Sequence, residues 1–521
     1  MKLKDLLQTV DVQSVAAPAL QGSREWEAVE VASVHCRAQE VRSGGIFVAV
    51  KGLVSDGHAY IDQAIAQGAA AVVVQRPIDC DAVVIQVADT RRALALLADR
   101  FYGHPSQRLF VVGITGTNGK TTTAFLVEQI LVMQGLNVGV IGTINYRYAG
   151  RVFDNPVTTP ESLDLQGILA EMVSAGVTHV VMEVSSHAID LARIAGCYMD
   201  IGVFTNLSQD HLDYHGDMDG YWACKQRFFT EYLPASAAHK RVHAVINTDD
   251  PRGRELASKL AMPVLMTGCT GDEDVWAEAV VCDLDGIQAR LHTPQGSAEI
   301  RSPLIGPHNL ENILSAVGVS IAAGQDLAAI QAGIAATSCV PGRLEKIPSS
   351  TGRHVYVDYA HTPAALENVL MALKALTAHR IICVFGCGGN RDRAKRPQMG
   401  AIAGAHSDLV VITSDNPRDE PPLDIISQIE SGVVVKGVLQ CRMADLARGF
   451  DHKGYVIEPD RRNAIRLAIN ISQVGDTVLI AGKGHETYQI IGHQTVAFDD
   501  RDEARQALAT LMEAQAVNAD G

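Results

Sequence analysis

The sequence predicts an α/β protein of three domains: a small α/β domain first, then a central domain on a parallel or mixed sheet, then a third on a similar sheet. Three observations support this. Short apolar runs alternate with helical stretches along most of the chain, as in strands joined by crossover helices. Nearly every unusual polar cluster follows directly on such a run, and open parallel sheets bind ligands beyond the carboxyl ends of their strands. The chain has 521 residues, enough for about three domains of roughly 100–200 residues each.

Residues 1–107 form the predicted first domain. IFVAV at 46–50 and AAAVVV at 69–74 read as strands, with a helix over 60–67 between them. GHPSQ at 103–107, with its proline, reads as the exit loop. The second domain is expected over 108–340. It opens with the strand-like RLFVV at 108–112, the Gly-rich turn GITGTNGK and a helix over 121–133. Further strands are expected at 179–182, 201–204 and 244–246. The turn PGR at 341–343 is the expected boundary. The third domain, 341–521, has strand candidates at 355–357, 381–385, 409–412 and 478–480.

Bulk composition narrows the function classes. Apolar residues make up 47% and charged residues 20% of the chain, an ordinary globular balance. Aromatics reach only 5% and the net charge is -15, which argues against nucleic-acid and anionic-membrane binding. Small anionic substrates remain compatible, because basic sites can sit inside an acidic protein. Ten cysteines without a CxxC pair read as reduced thiols. MKLKDLLQTV meets Asp5 and Gln8 with no apolar core behind them, so no secretory leader is expected. No run of about 18 apolar residues predicts a membrane span. The expected compartment is the cytoplasm.

The sharpest motif is the loop holding Gly116, Thr117, Asn118, Gly119, Lys120, Thr121 and Thr122. Glycines between strand and helix let backbone N–H groups close on phosphate oxygens, and the helix N-terminus adds positive potential. Lys120 would reach the β- and γ-phosphates of ATP, and the Thr121 hydroxyl would meet Mg²⁺. Ile114 stands where the usual phosphate loop has a glycine. Metal candidates lie downstream. Glu183 ends HVVME and offers a hard oxygen, as Mg²⁺ prefers. His211, in NLSQDHLDYHG, is an uncommon Mg²⁺ ligand. Lys225, in YWACKQRFF, reads from spacing alone as a surface lysine.

Together, TGTNGKT at 115–121, EVSSH at 183–187, NLSQDHLDYHG at 206–216, HNLEN at 308–312, PGRLE at 341–345, DYAHTP at 358–363 and GKGHE at 482–486 resemble the Mur ligases. GCGGNRD at 386–392 and DNPR at 415–418 resemble the members that add diaminopimelate. The resemblance implies a UDP-binding first domain, a P-loop ATPase core and a Rossmann-like third domain that brings the amino acid. It implies ATP and two Mg²⁺ ions, with Lys225 carbamylated into a metal ligand beside Thr121, Glu183 and His211. The implied catalytic set is Lys120, Glu183, His211, Lys225 and Arg343.

Asn309, Arg343 and Asp358 match positions that contact adenine, phosphate and ribose. Val34 and Cys36 match the UDP site, and Thr158, Thr159, Ser185 and Arg193 match muropeptide contacts. Arg391, Asp415, Asn416, Pro417, Arg418, Gly482 and Glu486 match acceptor contacts. A guanidinium can grip a carboxylate through two parallel hydrogen bonds, so Arg418 is the expected reader of the distal carboxylate of meso-diaminopimelate. Asp415 and Asn416 would accept from the distal ammonium, and Arg391 would hold the other carboxylate. The implied partners are small molecules alone, UDP-N-acetylmuramoyl-L-Ala-D-Glu and the diamino acid, acting on a monomer. Three stretches depart from the family. His35-Cys36-Arg37 replaces Asp-Ser-Arg, Gly45 replaces an acidic residue, and Leu191 stands where some relatives carry Gln. Folylpolyglutamate synthetase, a P-loop kinase and a non-catalytic nucleotide switch are the competing readings.

Overall fold

The computed structural model describes residues 1–17, 25–52, 55–442, 446 and 452–519. In the first part, β1 (Val12–Ala16), β2 (Ser33–His35), β3 (Gly45–Val48), β4 (Ala69–Val74) and β5 (Val83–Val87) form a sheet in the order β1-β5-β4-β3-β2. Only β1 runs antiparallel. Strand β4 coincides with its apolar run and β3 overlaps its own, starting at Gly45 and ending at Val48, two residues before the run does; both faces are covered, so every second residue need not be polar. The helix Thr90–Phe101 packs Leu94 and Leu97 on one face. Asp89 caps it, accepting from the backbone N–H of Arg91 and Arg92 at 2.8 and 3.1 Å.

The second sheet comprises β6 (Phe110–Thr115), β7 (Val138–Ile141), β8 (Tyr146–Tyr148), β9 (Arg151–Phe153), β10 (His179–Glu183), β11 (Ile201–Phe204), β12 (His243–Asn247) and β13 (Val264–Thr267). Its order is β13-β12-β11-β6-β10-β7-β8-β9. All pairs from β13 to β7 are parallel, and β8–β9 is an antiparallel edge hairpin. Residues 108 and 109, expected to begin β6, instead close the 3₁₀ turn Pro105–Arg108 and the link that follows it. The helix Lys120–Met133 lies on one face with the helix Pro307–Ala322, joining Val127 and Ile130 to Ile313 and Val317. The other face packs Leu169, Met172, Phe228 and Phe229.

A three-stranded antiparallel sheet, β14 (Trp276–Asp283), β15 (Gly286–Thr293) and β16 (Gly296–Ser302), was absent from the sequence expectation. Its pattern is legible afterwards. Ile287, Ala289 and Leu291 turn inward, while Gln288 and Arg290 face out, the period-two signature of a half-covered strand. Asp285-Gly286 marks the first turn.

The third sheet comprises β17 (Glu345–Ile347), β18 (His354–Asp358), β19 (Ile381–Phe385), β20 (Leu409–Ile412), β21 (Leu439–Gln440), β22 (Gly454–Ile457) and β23 (Thr477–Ala481). The order is β17-β18-β23-β19-β20-β22-β21, parallel except for β17. A hairpin, β24 (Tyr488–Ile491) and β25 (Gln494–Ala497), follows. Arg461 and Asp500 form a fully buried pair, with bonds of 2.7 Å from Nε to Oδ1 and from Nη2 to Oδ2. Arg461 also donates to the carbonyls of Ser414 and Ala481 at 3.3 and 3.0 Å. It thereby ties together the carboxyl ends of β20 and β23.

Asp500→Ala strands that guanidinium away from water. We expect a loss of about 3–5 kcal/mol in the stability of the third sheet, read from the urea midpoint of its unfolding transition.

Candidate active site

The carboxyl ends of the second and third sheets face one cavity of about 410 Å³. The 116–122 loop, Thr158, Glu183, Ser185, His211, Lys225 and Asn309 reach it from one side. Arg343, Asp358, Tyr359 and His361 reach it from the other. A second cavity of about 460 Å³ opens beside the first sheet, lined among others by Cys36, Arg37, Tyr60, Arg91 and Glu161.

The glycine loop is held open by backbone conformation and close packing. Gly116 and Gly119 take φ of 146° and 84°. A Cβ on Gly119 would stand 2.2 Å from Asn312 Oδ1, and one on Gly116 would stand 1.9 Å from Thr205 Oγ1, so only glycine fits. Asn206 shapes the loop from β11, accepting from Thr117 N–H at 2.8 Å and from Asn118 N–H at 2.9 Å. Ile114 lies fully buried within β6. The unusual residue therefore belongs to the strand and core, outside the loop.

Glu183 ends β10 between two threonines. Its Oε1 accepts from Thr121 Oγ1 at 3.0 Å and from Thr143 N–H at 2.9 Å, and its Oε2 accepts from Thr143 Oγ1 at 2.9 Å. The carboxylate is 2% exposed. Lys225 is 1% exposed, which overturns the surface reading. Its stem runs beside Tyr221, with Nζ 4.6 Å from the ring centroid. Lys225 Nζ donates to Gly116 O at 2.8 Å, and Lys120 Nζ donates to the same oxygen at 2.9 Å. Burial, and then the Lys120 charge, hold the Lys225 amine well below an ordinary lysine pKa. Burial also lowers Lys120. His211 sits in the left-handed region at φ 54°. Burial, joined by His187, Lys120 and Lys225 against the pull of Asp210, pushes it to about 4.

The third sheet supplies the remaining wall. Arg343 stacks over the Tyr359 ring at 4.6 Å and donates from Nη2 to Thr121 Oγ1 at 3.3 Å. Asp358 accepts from the N–H groups of Leu344 and Ala360 at 2.6 and 2.7 Å, and burial raises its pKa. Asn309 donates to Ile305 O at 2.7 Å and accepts from Asn312 Nδ2 at 3.0 Å.

Thr159 and Arg193 sit behind this wall. Thr159 Oγ1 donates to Glu183 O at 2.9 Å and accepts from Ser185 N–H at 3.0 Å. Arg193 donates to Thr159 O at 3.0 Å and pairs with Glu161 at 2.8 Å. Glu161 also lines the second cavity, so this chain of contacts joins the two cavities. Cys36 faces the second cavity, with burial holding its thiol up at about 11. Val34 is buried in the first core instead.

The expected acceptor residues form a separate cluster beside the large cavity. DNPR follows β20, GCGGNRD follows β19 and GKGHE follows β23. Arg418 Nη1 donates to Gly389 O at 2.9 Å, and a Cβ on Gly389 would stand 1.8 Å from Pro417 O. Asn416 N–H donates to Asp415 Oδ1 at 2.6 Å. Gly482, at φ 114°, lies against Asp415 Oδ2, where a Cβ would come within 2.8 Å. Asn416 Nδ2 donates to Glu486 Oε2 at 2.8 Å. Arg391 is exposed and donates to Asn390 O at 3.2 Å. The cluster is coupled to the large cavity through the Tyr359 and His485 rings, 5.1 Å apart.

Sequence reasoning missed Thr143, Tyr221, Asn312, Tyr359 and Lys483 as parts of this arrangement. Thr143 was findable, because it follows the apolar run of β7. Thr143→Val removes the hydroxyl that donates to the buried Glu183 carboxylate and accepts from the half-buried Thr158 hydroxyl. We expect about 1–3 kcal/mol of destabilisation, with Thr143→Ser close to the native denaturation midpoint.

Family models match the chain in three stretches. Those described as Mur ligase family, catalytic domain, Mur ligase middle domain and Mur ligase, glutamate ligase domain cover residues 30–102, 114–320 and 342–484. The chain is 47% identical over 513 residues to the UDP-N-acetylmuramoyl-L-alanyl-D-glutamate–2,6-diaminopimelate ligase of Geobacter metallireducens, covering 98% of this chain and 99% of that one. It is 43% identical over 479 residues to the Geobacillus kaustophilus ligase of that name, covering 92% and 95%. A solved structure of a ligase of that name matches with a TM-score of 0.68 at 31% identity, covering 95% of this chain and 98% of the other.

Proposed function

Because the chain belongs to the Mur ligase family, we propose that it joins meso-diaminopimelate to the D-glutamate γ-carboxylate of UDP-N-acetylmuramoyl-L-alanyl-D-glutamate. ATP is spent, ADP and phosphate leave, and the product is a peptidoglycan precursor. The observation that carries the reading is the meeting of the phosphate loop, Glu183, Lys225 and Arg343 in one cavity, beside a cluster shaped for an amino acid.

The division of labour follows the three parts. Residues 1–107 take the UDP end in the second cavity, 108–340 hold ATP, and 341–521 present the acceptor. Loop N–H groups 116–122 and Lys120 hold the β- and γ-phosphates. Asn309 and Asp358 hold adenine and ribose. Thr158, Thr159, Ser185 and Arg193 orient the muropeptide. Its γ-carboxylate oxygen bonds to the γ-phosphorus as the bond to ADP breaks, giving an acyl phosphate. The acceptor amine then bonds to the acyl carbon, loses a proton and expels phosphate. Arg343 reaches toward the transferred group, where charge accumulates.

Two anions meet at the first step, so the site needs positive charge, and Mg²⁺ would supply it. Thr121, Glu183, His211 and an N6-carboxylated Lys225 would hold two such ions. The residues fit. The Lys225 amine is buried and its pKa depressed, which favours the neutral form, the one that adds CO₂. His211 is likewise kept neutral, as a metal-binding imidazole must be.

The reading extends to a monomer acting in the cytoplasm, as the family resemblance implies. No helix among the described residues is long and apolar enough to cross a membrane.

Several measurements test this. ADP release should require the UDP-muropeptide and diaminopimelate together, and mass spectrometry with lysine in competition should find the diaminopimelate product. ATP turnover without an amine would instead indicate a kinase. Arg418→Ala should raise the KM for diaminopimelate about 10- to 100-fold and leave that for ATP unchanged; equal kinetics would remove Arg418 from recognition. With carbon-13 bicarbonate, the native chain should give a carbamate resonance that Lys225→Ala lacks. That variant should lose nearly all turnover and recover part of it with short carboxylic acids.

A further inference from the structure

Lys483 is the second residue of GKGHE, and no role above uses it. It is 0% exposed, and a fully buried lysine needs partners for its charge. Its Nζ donates to Glu486 Oε2 at 2.8 Å and to Asn416 Oδ1 at 3.1 Å, and lies 5.4 Å from the centroid of the Tyr488 ring. Both hydrogen-bond partners belong to the acceptor cluster.

The bonds around Asn416 settle which atoms remain for a ligand. Asn416 Oδ1 accepts from Lys483 Nζ and also from Ile490 N–H at 3.0 Å. An amide oxygen has two lone pairs, so it is full. Its Nδ2 points to Glu486 Oε2, which Lys483 also occupies. What stays available is Glu486 Oε1, together with Asp415 Oδ2 above Gly482. These are two carboxylate oxygens for an ammonium, while Arg418 and Arg391, both lying against Gly388, would meet a carboxylate.

The same network ties down the turn. Gln489 Nε2 donates to Asp415 O at 2.7 Å, Arg418 N–H donates to Ile490 O at 3.1 Å, and Gly492 N–H donates to Arg418 O at 2.8 Å. The hairpin β24–β25 thus holds Arg418 at φ 51°, a backbone conformation that costs an arginine energy unless its surroundings impose it.

We propose that Lys483 is a positioning residue for acceptor choice. Its ammonium holds Glu486 by Oε2 with the other oxygen free, and it locks the Asn416 amide, so the 415–418 turn presents a fixed pair of ammonium acceptors. Asn416 then acts through its neighbours, and Asp415 and Glu486 meet the distal amino group of the acceptor. This rests on the ligase reading above.

The test compares Lys483→Met, which keeps the stem and deletes the charge, with Asn416→Ala, which cuts the same tie without a buried methionine. In the full chain, each should raise the KM for diaminopimelate about 10- to 100-fold and narrow the preference for diaminopimelate over lysine. The KM values for ATP and UDP-muropeptide should stay native, with kcat changed far less than the acceptor KM. A merely structural lysine would shift all three KM values together or lower kcat alone, and that result overturns the proposal. Native acceptor KM and selectivity in either folded variant overturns it too. If Lys483→Met fails to fold, Asn416→Ala decides alone. Failure of the unaltered chain to use diaminopimelate would be a different outcome, and would overturn the ligase reading itself.

Discussion

Two lysines share one carbonyl at the centre of this molecule. Lys120 and Lys225 both donate to Gly116 O, which puts their nitrogens within about 6 Å of each other. At an effective dielectric near 20, two full charges so placed repel by about 3 kcal/mol. The cost falls away if one amine is neutral, and Lys225 is the more displaced of the two. One carbonyl thus draws the two amines together, and burial with the neighbouring Lys120 charge lowers the Lys225 pKa. Gly116 is the pivot of this arrangement. Its carbonyl can face both amines because its φ of 146° leaves room that a side chain would take from Thr205.

The second constraint is the route of the chain between sheets. Gly342 takes φ 65° with its α-carbon packed so closely that a Cβ would stand 2.2 Å from His485 N. Leu344 follows at φ 43°, a costly conformation for a branched residue. Bonds surround this short segment. Tyr359 N–H donates to Gly342 O at 2.8 Å, Gly342 N–H donates to Glu345 Oε2 at 2.8 Å, and Leu344 N–H donates to Asp358. The turn is over-determined, which is how strained backbone persists. Its reward is the direction of Arg343, which reaches Thr121 across the cleft.

Much of the fold was legible because parallel strands covered on both faces leave continuous apolar runs. The runs at 201–204, 381–385 and 409–412 are strands β11, β19 and β20 residue for residue. The polar clusters after them were equally plain, since few residues other than ligand-binding ones crowd a strand's carboxyl end. The antiparallel β14–β16 sheet was missed because only one face is covered and the exposed one looks like surface. Lys225 was misread locally for a related reason. Tyr221, Trp222, Phe228 and Phe229 around it are the sign of burial, but whether a lysine follows its aromatic neighbours inward depends on what awaits its amine. Gly116 O, more than a hundred residues upstream, is invisible to a window along the chain.

The acceptor cluster shows the same limit at finer grain. DNPR was read as a recognition motif, and Asn416 as a ligand contact because an amide oxygen is a good acceptor. The folded chain gives that oxygen to Lys483 and Ile490, the first inside GKGHE but remote from DNPR along the chain, the second in a hairpin that carries no motif. A side chain's hydrogen-bonding capacity is finite, so each bond made within the protein removes one that a substrate could make. Recognition is therefore assigned by subtraction. After the internal bonds are counted, Asp415 Oδ2 and Glu486 Oε1 are the oxygens proposed to meet an ammonium, and the unusual feature left to explain is the buried Lys483 that holds Glu486 in place.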